Sequence, residues 1–274
     1  MAQLHMINSV RDTINTSFLL RDGDAAIAID GGFSCEAESL YNELVDLGIA
    51  INGWFLTHAH DDHICAFIKV LQNHPDIKVE KVYCNFPSDD FLDRYEPKQS
   101  EMTSVTLVHL LKETLSARGI PLVTVESGDA YVFGGITVSV LQTPDESVTH
   151  NPINNSSSVF SVTVNGQKLL FLGDLGVEGG RRLLEAVPAS VLKSDYVQMA
   201  HHGQAGVSRE VYEAIRPRFC LWCTPSWLWD NIDKRIGRYD SGPYKTIIVR
   251  GWISELGCVE RHYRMTDGTQ VIEI

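Results

Sequence analysis

The feature that most constrains the fold is a cluster of polar side chains at residues 58–63, His58-Ala-His-Asp-Asp-His63. It directly follows an apolar run at residues 53–57 that is typical of a buried strand, and helical spacing resumes at Ile64. Imidazole and carboxylate groups are the ligands of borderline divalent metals such as zinc. A solvated polar loop is the alternative, but three histidines and two carboxylates in six residues favour a metal site.

Two further motifs repeat this arrangement of an apolar strand followed by candidate ligands. Gly173-Asp174 follows an apolar run at residues 170–172, and His201-His202 follows another at residues 196–200. Either motif alone is weak, because Gly-Asp turns and histidine pairs often have purely structural roles. Together they place every candidate ligand just past the C-terminal end of a strand, where a sheet edge forms a site. An aspartate such as Asp174 can bridge two metals.

Short strands alternate with helices in both halves of the chain. This pattern predicts two β-sheets packed face to face, with helices outside. No linker rich in Gly, Pro or Ser divides the sequence, so residues 1–274 are predicted to form one domain. Further predictions are a loop or lid at residues 86–98, a helix at residues 208–215 and a strand at residues 246–249.

The composition limits the classes of partner. The 23 basic and 35 acidic residues give a formal net charge of −12, so nucleic acid is an unlikely partner and a small-molecule substrate is expected. No basic leader with a long apolar segment and no run of about 18 apolar residues is present, which predicts a cytoplasmic protein without membrane contact. The six scattered cysteines are expected to be free thiols. The sequence does not indicate the oligomeric state.

The motifs resemble those of the metallo-β-lactamase-fold hydrolases over nearly the whole chain. Residues 57–63, Thr-His-Ala-His-Asp-Asp-His, match the Thr-His-x-His-x-Asp-His signature of that family in full. Asp30, Gly173-Asp174 and His201-His202-Gly203 resemble its other motifs. The His-His-Gly ending, with Asn154-Asn-Ser-Ser-Ser-Val159, is similar to the branch that includes the nuclease-like domain of bacterial DNA-uptake channels. The resemblance implies a four-layer αββα sandwich of two mixed sheets.

The resemblance also implies two divalent metal ions, expected to be zinc, with manganese or iron as alternatives. One ion would be held by His58, His60 and a third histidine, and the other by Asp62, His63 and a final histidine, with Asp174 bridging both. His150 is the candidate third histidine, although the family often places it after a Thr-Pro-Gly turn, and Thr143-Pro144 is here followed by a longer stretch. If His150 is not a ligand, the first metal site would be weakened, or Asp145 or an asparagine would take its place. His201 is preferred over His202 as the final ligand. The implied metal ligands are His58, His60, Asp62, His63, His150, Asp174 and His201.

Other residues are expected to act beside the ligands. Asp30 would accept a hydrogen bond from a ligand histidine. Asp62 would orient the nucleophile or take its proton, and His202 would stabilise the transition state or support a ligand. Trp227 and Trp229 could form a wall of the substrate pocket, with core or loop packing as the alternative.

The predicted activity is hydrolysis of a small ester or phosphodiester by a metal-bound hydroxide. No Gly-x-Ser-x-Gly elbow offers a serine nucleophile instead. A nuclease acting on single-stranded nucleic acid and a non-catalytic scaffold of the same fold are the alternatives. A di-iron oxidoreductase is a further one, although such enzymes usually carry a flavodoxin-like domain.

Overall fold

Two mixed β-sheets of seven strands each pack face to face in a computed structural model that describes residues 1–95 and 103–274. In the first sheet the order is β14-β1-β2-β3-β4-β5-β6, and in the second it is β13-β12-β11-β10-β9-β8-β7. The strands are β1 (Gln3–Met6), β2 (Phe18–Asp22), β3 (Ala25–Ile29), β4 (Gly53–Phe55), β5 (Val82–Cys84), β6 (Leu122–Thr124), β7 (Ala130–Phe133), β8 (Ile136–Gln142), β9 (Val159–Val164), β10 (Gln167–Phe171), β11 (Tyr196–Gln198), β12 (Phe219–Trp222), β13 (Arg261–Arg264) and β14 (Gln270–Glu273).

The helices of the described residues lie along the outer faces of the sheets. They are α1 (Ala37–Leu47), α2 (Asp61–Asn73), α3 (Asp89–Tyr95), α4 (Ser104–Arg118), α5 (Pro152–Asn155), α6 (Val177–Ala186), α7 (Ala189–Leu192), α8 (Arg209–Ile215), α9 (Ser226–Trp229) and α10 (Thr246–Glu255). None of them combines the length and apolarity that crossing a membrane would require.

Both sheets have the same mixture of strand directions. The pairs joining β14, β1, β2 and β3 are antiparallel, and those joining β3, β4, β5 and β6 are parallel. The second sheet repeats this, with antiparallel pairs from β7 to β10 and parallel pairs from β10 to β13. The C-terminal ends of neighbouring parallel strands meet at one edge, so each sheet offers one edge where loops gather.

Three apolar clusters separate the four layers. The central cluster joins the facing sides of the two sheets, with Phe18 against Phe171 and Phe55 against Phe160. A second cluster packs α1, α2 and α4 onto the first sheet, and a third packs α6, α8 and α10 onto the second. The chain therefore forms the predicted αββα sandwich.

Two predicted elements differ from the structure. Residues 246–249, predicted as a strand, begin helix α10, whose Val249 and Ile253 are buried against the second sheet. Residues 89–95 of the predicted loop form helix α3, and residues 96–98 lie outside the described part of the chain. Strand β1 was not predicted, although it pairs with both β2 and β14.

Candidate metal centre

Asp30 joins the end of β3 to the loop that follows β4. Its Oδ1 accepts a hydrogen bond from the backbone N–H of Thr57 at 2.8 Å, and its Oδ2 accepts one from the Thr57 hydroxyl at 2.7 Å. The same Oδ2 lies 2.7 Å from Nδ1 of His63, which donates to it. Because Nδ1 is engaged with Asp30, Nε2 is the nitrogen of His63 that is available to a metal ion. The hydrogen bond expected for Asp30 is therefore present, and the role of His63 as a ligand remains a prediction.

One group of candidate ligands consists of Asp62, His63, Asp174 and His202, whose ligand atoms all lie within 4.8 Å of one another. Nε2 of His202 lies 2.7 Å from Oδ2 of Asp62 and 3.2 Å from Oδ2 of Asp174. Nε2 of His63 lies 3.1 Å from Oδ1 of Asp174. Nδ1 of His202 donates to the carbonyl of Cys223 at 3.0 Å, so Nε2 is the ring nitrogen that faces the group.

A second group consists of His58, His60 and Asp174. Nε2 of His58 lies 3.0 Å from Nδ1 of His60 and 3.9 Å from Oδ2 of Asp174. The hydroxyl hydrogen of Thr57 goes to Asp30, so Nδ1 of His58 donates to that hydroxyl oxygen, and Nε2 of His58 can accept from Nδ1 of His60. Asp174 belongs to both groups, which is the position expected of a carboxylate that bridges two ions.

Four buried atoms of the first group face one another without good hydrogen-bond geometry, although they lie close together: Oδ2 of Asp62, Nε2 of His63, Oδ1 of Asp174 and Nε2 of His202. Buried polar atoms normally have well-formed hydrogen bonds, so four that converge without them need an explanation. A divalent cation provides one, because it accepts nitrogen and carboxylate ligands at the same time. The donor set therefore fits a metal ion.

The protonation of the two groups differs. Burial would lower the pKa of His202, but Asp174 and Asp62 raise that pKa to about 10. Burial would raise the pKa of Asp174, but His202 and His63 hold it well below its ordinary value. In contrast, burial lowers the pKa of His58 well below its ordinary value, and His63 and His60 lower it further. His58 therefore presents the neutral imidazole that binds metals.

His150 does not lie with either group, which corrects its assignment to the first metal. Its side chain is 81% exposed, and its Nδ1 lies 3.1 Å from Oε1 of Glu178 on α6. The backbone turns at Asn151, whose φ is +43°, and the carbonyl of His150 accepts a hydrogen bond from Asn155. These contacts direct the residue toward α6 and the solvent.

The preference for His201 over His202 in the last motif is also corrected. His202 is buried within the four-residue group, whereas the side chain of His201 is 21% exposed and lies outside both groups. Both residues have left-handed backbones, with φ of +52° and +55°. This conformation is uncommon for residues other than glycine, and here it turns the buried member of the pair toward Asp62.

The two tryptophans predicted to line a substrate pocket make packing contacts, and their role in substrate binding stays a prediction. Nε1 of Trp227 donates to the carbonyl of Asp12 at 3.1 Å. The ring of Trp229 packs edge-on against Trp222 and lies 4.1 Å from the guanidinium carbon of Arg250. Trp229 also lines a cavity together with Arg250 and His262.

Several polar residues that hold the Asp174 loop were not predicted as functional. The Ser157 hydroxyl accepts a hydrogen bond from the backbone N–H of Asp174, and Asn155 Oδ1 accepts from Gly176 and Gly179. Gln198 donates to the carbonyl of Gly173 at 3.1 Å. The signal for them in the sequence was the run Asn154-Asn-Ser-Ser-Ser158, five small polar residues directly before an apolar strand. The structure buries all five.

Comparison with known proteins agrees with this architecture. Residues 10–218 match the family described as "Metallo-beta-lactamase superfamily". The "ComE operon protein 3" of Bacillus subtilis is 25% identical over 174 residues, which are 62% of this chain and 20% of that relative. The chain therefore spans about a fifth of the length of this curated relative.

Two solved structures share the fold along the whole chain. The metallo-beta-lactamase fold protein YhfI from Bacillus subtilis is 13% identical with a TM-score of 0.58, and 100% of both chains is covered. CmlA, a diiron beta-hydroxylase from Streptomyces venezuelae, is 12% identical with a TM-score of 0.60 over 100% of this chain and 54% of CmlA. At these identities the likeness concerns the fold alone. By its motifs, its sandwich and its match over residues 10–218, the chain belongs to the metallo-beta-lactamase superfamily.

Proposed function

We propose that this protein is a dinuclear-metal-dependent hydrolase that acts on a small ester or phosphodiester. The observation that carries the proposal is the position of Asp174, which is shared by two adjacent groups of candidate ligands. A bridging carboxylate holds two ions close together, which is the arrangement that two-metal hydrolases use. Asp62, His63, His202 and Asp174 would hold one ion, and His58, His60 and Asp174 the other.

Bound divalent ions would supply Lewis acidity and lower the pKa of water. The residues of the chain supply orientation. The attraction of His63 and His202 outweighs the effect of burial and lowers the pKa of Asp62, so its carboxylate stays ionised and can accept a hydrogen bond that orients the attacking water. Asp30 and the Cys223 carbonyl fix the rings of His63 and His202 and so keep their Nε2 atoms directed at the site.

A small substrate is favoured over a polymeric one by charge. The net charge of −12 opposes long polyanions, whereas two divalent ions give the site a local positive field for one anionic or carbonyl group. Zinc is the proposed metal, and manganese and iron remain open because imidazole and carboxylate accept all three.

The proposal is tested by hydrolysis assays of the zinc-, manganese- and iron-loaded protein on a chromogenic phosphodiester, a phenyl ester and a lactone. His60→Ala should lower the rate on the accepted substrate at least about 100-fold, since it removes a ligand. His150→Ala, which changes an exposed histidine outside the groups, is the matched control and should keep the rate. Full activity in His60→Ala would refute the assignment.

The nuclease alternative is favoured by the His201-His202-Gly203 ending and opposed by the charge. It is distinguished by measuring binding and cleavage of single-stranded DNA between low and moderate salt. Metal-dependent cleavage with affinity that falls steeply with salt would replace the small-substrate proposal. Hydrolysis of the small phosphodiester with no DNA binding would support the small-substrate proposal.

A further inference from the structure

The two candidate ligand groups are unequal, and the difference is one ligand: both contain two histidines and Asp174, and only the first also contains Asp62. The group around His202 has four members, and the group around His58 has three, one of which is the shared Asp174. His150 is too far from the second group to complete it, because its ring is exposed and paired with Glu178. An ion held by the second group would therefore need another protein ligand to match the first.

His201 lies where such a ligand is needed. Its Nε2 is 3.9 Å from Oδ2 of Asp174, the same distance that separates this oxygen from Nε2 of His58. Nε2 of His201 and Nε2 of His58 therefore lie at equal distances from this oxygen, and Nε2 of His202 lies nearer, at 3.2 Å. The side chain of His201 is 21% exposed.

The hydrogen bonds of His201 are those of a metal-binding histidine. Nδ1 lies 3.5 Å from the carbonyl of Ala205, which can only accept, so the hydrogen belongs on Nδ1. Nδ2 of Asn154 lies 3.4 Å from Nε2 of His201 and donates toward it, which agrees with a lone pair there. Ligand histidines characteristically use one ring nitrogen on a backbone carbonyl or carboxylate and offer the other to the metal.

The backbone explains how two adjacent histidines can serve two different ions. His201, His202 and Gly203 have φ of +52°, +55° and +76°, so three consecutive residues are left-handed. The two rings are 6.1 Å apart at 54°, with His202 inside and His201 at the rim. Such a strained turn persists only where the surrounding structure holds it, and such turns cluster at functional sites.

We propose that His201 is the third histidine ligand of the ion held by His58, His60 and Asp174, so that the His-His pair contributes one ligand to each ion. The Asn154 amide lies beside the Nε2 atom of His201, and a bound ion would replace it as the partner of that lone pair. This inference rests on the proposed function, because it assumes the two ions.

The test is a titration of the metal-free protein with Zn²⁺ against a chromophoric chelator, together with elemental analysis of the loaded protein. The wild type and His150→Ala should each take up two ions with the same affinities. His201→Ala should keep one ion and bind the other at least about 100-fold more weakly. His201→Gly, which suits a left-handed backbone, replaces it if the alanine variant fails to fold by circular dichroism.

The outcomes separate this inference from the proposed function. Two ions bound with wild-type affinity by the folded His201 variant, or an ion lost by His150→Ala, would overturn the inference and leave the proposed function standing. Fewer than one ion in the wild type would overturn both. Two ions in the wild type, one in the His201 variant and no hydrolysis of any substrate would support the inference and refute the proposed function.

Discussion

At the residue scale, the conformation and hydrogen-bond partners of Asp30 suit it to hold the ring of His63 and the loop after β4 in place. It is fully buried, its φ is +53°, and its carboxylate is shared by Thr57 and His63. A left-handed aspartate costs free energy, and a buried carboxylate costs more unless it is hydrogen-bonded. These costs are offset by three hydrogen bonds that lock the loop after β4 to the end of β3.

The substitution Asp30→Asn should weaken metal binding about 10–100-fold, the effect usual for a residue that orients a ligand histidine. The amide keeps the size of the side chain but removes the charge that faces Nδ1 of His63. Chelator competition measures the change. Asp12→Asn is the control, because Asp12 is also left-handed, with φ +52°, and holds Ser226 rather than a histidine. Equal metal affinities in Asp30→Asn and Asp12→Asn would show that Asp30 does not orient a ligand histidine.

Gly203 is a position where both the left-handed backbone and the lack of room for a Cβ atom require glycine. Its φ is +76°, and a Cβ there would overlap the ring of Trp222. Gly203→Ala should therefore lower the free energy of unfolding by about 1–3 kcal/mol more than Gly257→Ala, since overpacking adds to the strain. Gly257 has φ +63° with open space around it. Urea unfolding compares the two variants, and equal losses would show that Trp222 does not confine this turn.

At the scale of elements, the centre is assembled from the C-terminal ends of four parallel strands. β3 delivers Asp30, β4 the 58–63 cluster, β10 Asp174 and β11 the histidine pair. Because two of these strands belong to each sheet, the site lies where the loop edges of both sheets meet. The sandwich therefore brings together residues more than 140 positions apart.

Helix α6 begins beside the Asp174 loop and is held by Asn155. Oδ1 of Asn155 accepts from the backbone N–H groups of Gly176 and Gly179 at 3.0 and 2.9 Å. Asn155→Ala should cost about 1–3 kcal/mol of unfolding free energy, because it leaves buried donors unsatisfied. Asn42→Ala, on the exposed face of α1, should cost far less. Similar losses in urea unfolding would contradict the account of this loop.

The sequence predicts where a strand ends better than it predicts which way the side chains beyond that end point. The positions of His58, Asp174 and His202 follow from apolar runs that stop at polar residues, a local pattern. The exposure of His150 depends on a turn at Asn151 and on Glu178 from another helix, which no spacing encodes. The β-branched start of α10 favours a strand locally, and burial of its later residues against the second sheet overrides that preference.

At the scale of the whole molecule, the candidate metal centre lies at one edge of the interface between the two β-sheets. Asp30, Asp62, His63, Asp174 and His202 are buried there, and ionised groups in such a place are costly unless paired. Divalent ions would pair with carboxylates from both sheets at once. The ions should therefore contribute to the stability of the fold as well as to chemistry.

Removal of metal should lower the melting temperature, and addition of zinc should restore it. Free zinc at about 100 times the dissociation constant contributes about 2.7 kcal/mol for each site. Scanning calorimetry of the chelator-treated protein with and without added zinc measures the shift. His60→Ala should show a smaller shift than the wild type, whereas His150→Ala should match it. An unchanged melting temperature on zinc addition would contradict a buried metal centre.

Asp174 belongs to both ligand groups and would join them into one dinuclear centre. The most direct test is the number of divalent ions per chain, determined by elemental analysis of the purified protein after reconstitution and removal of excess metal. We expect two ions per chain in the wild type. One ion or fewer per chain after reconstitution would contradict a dinuclear centre.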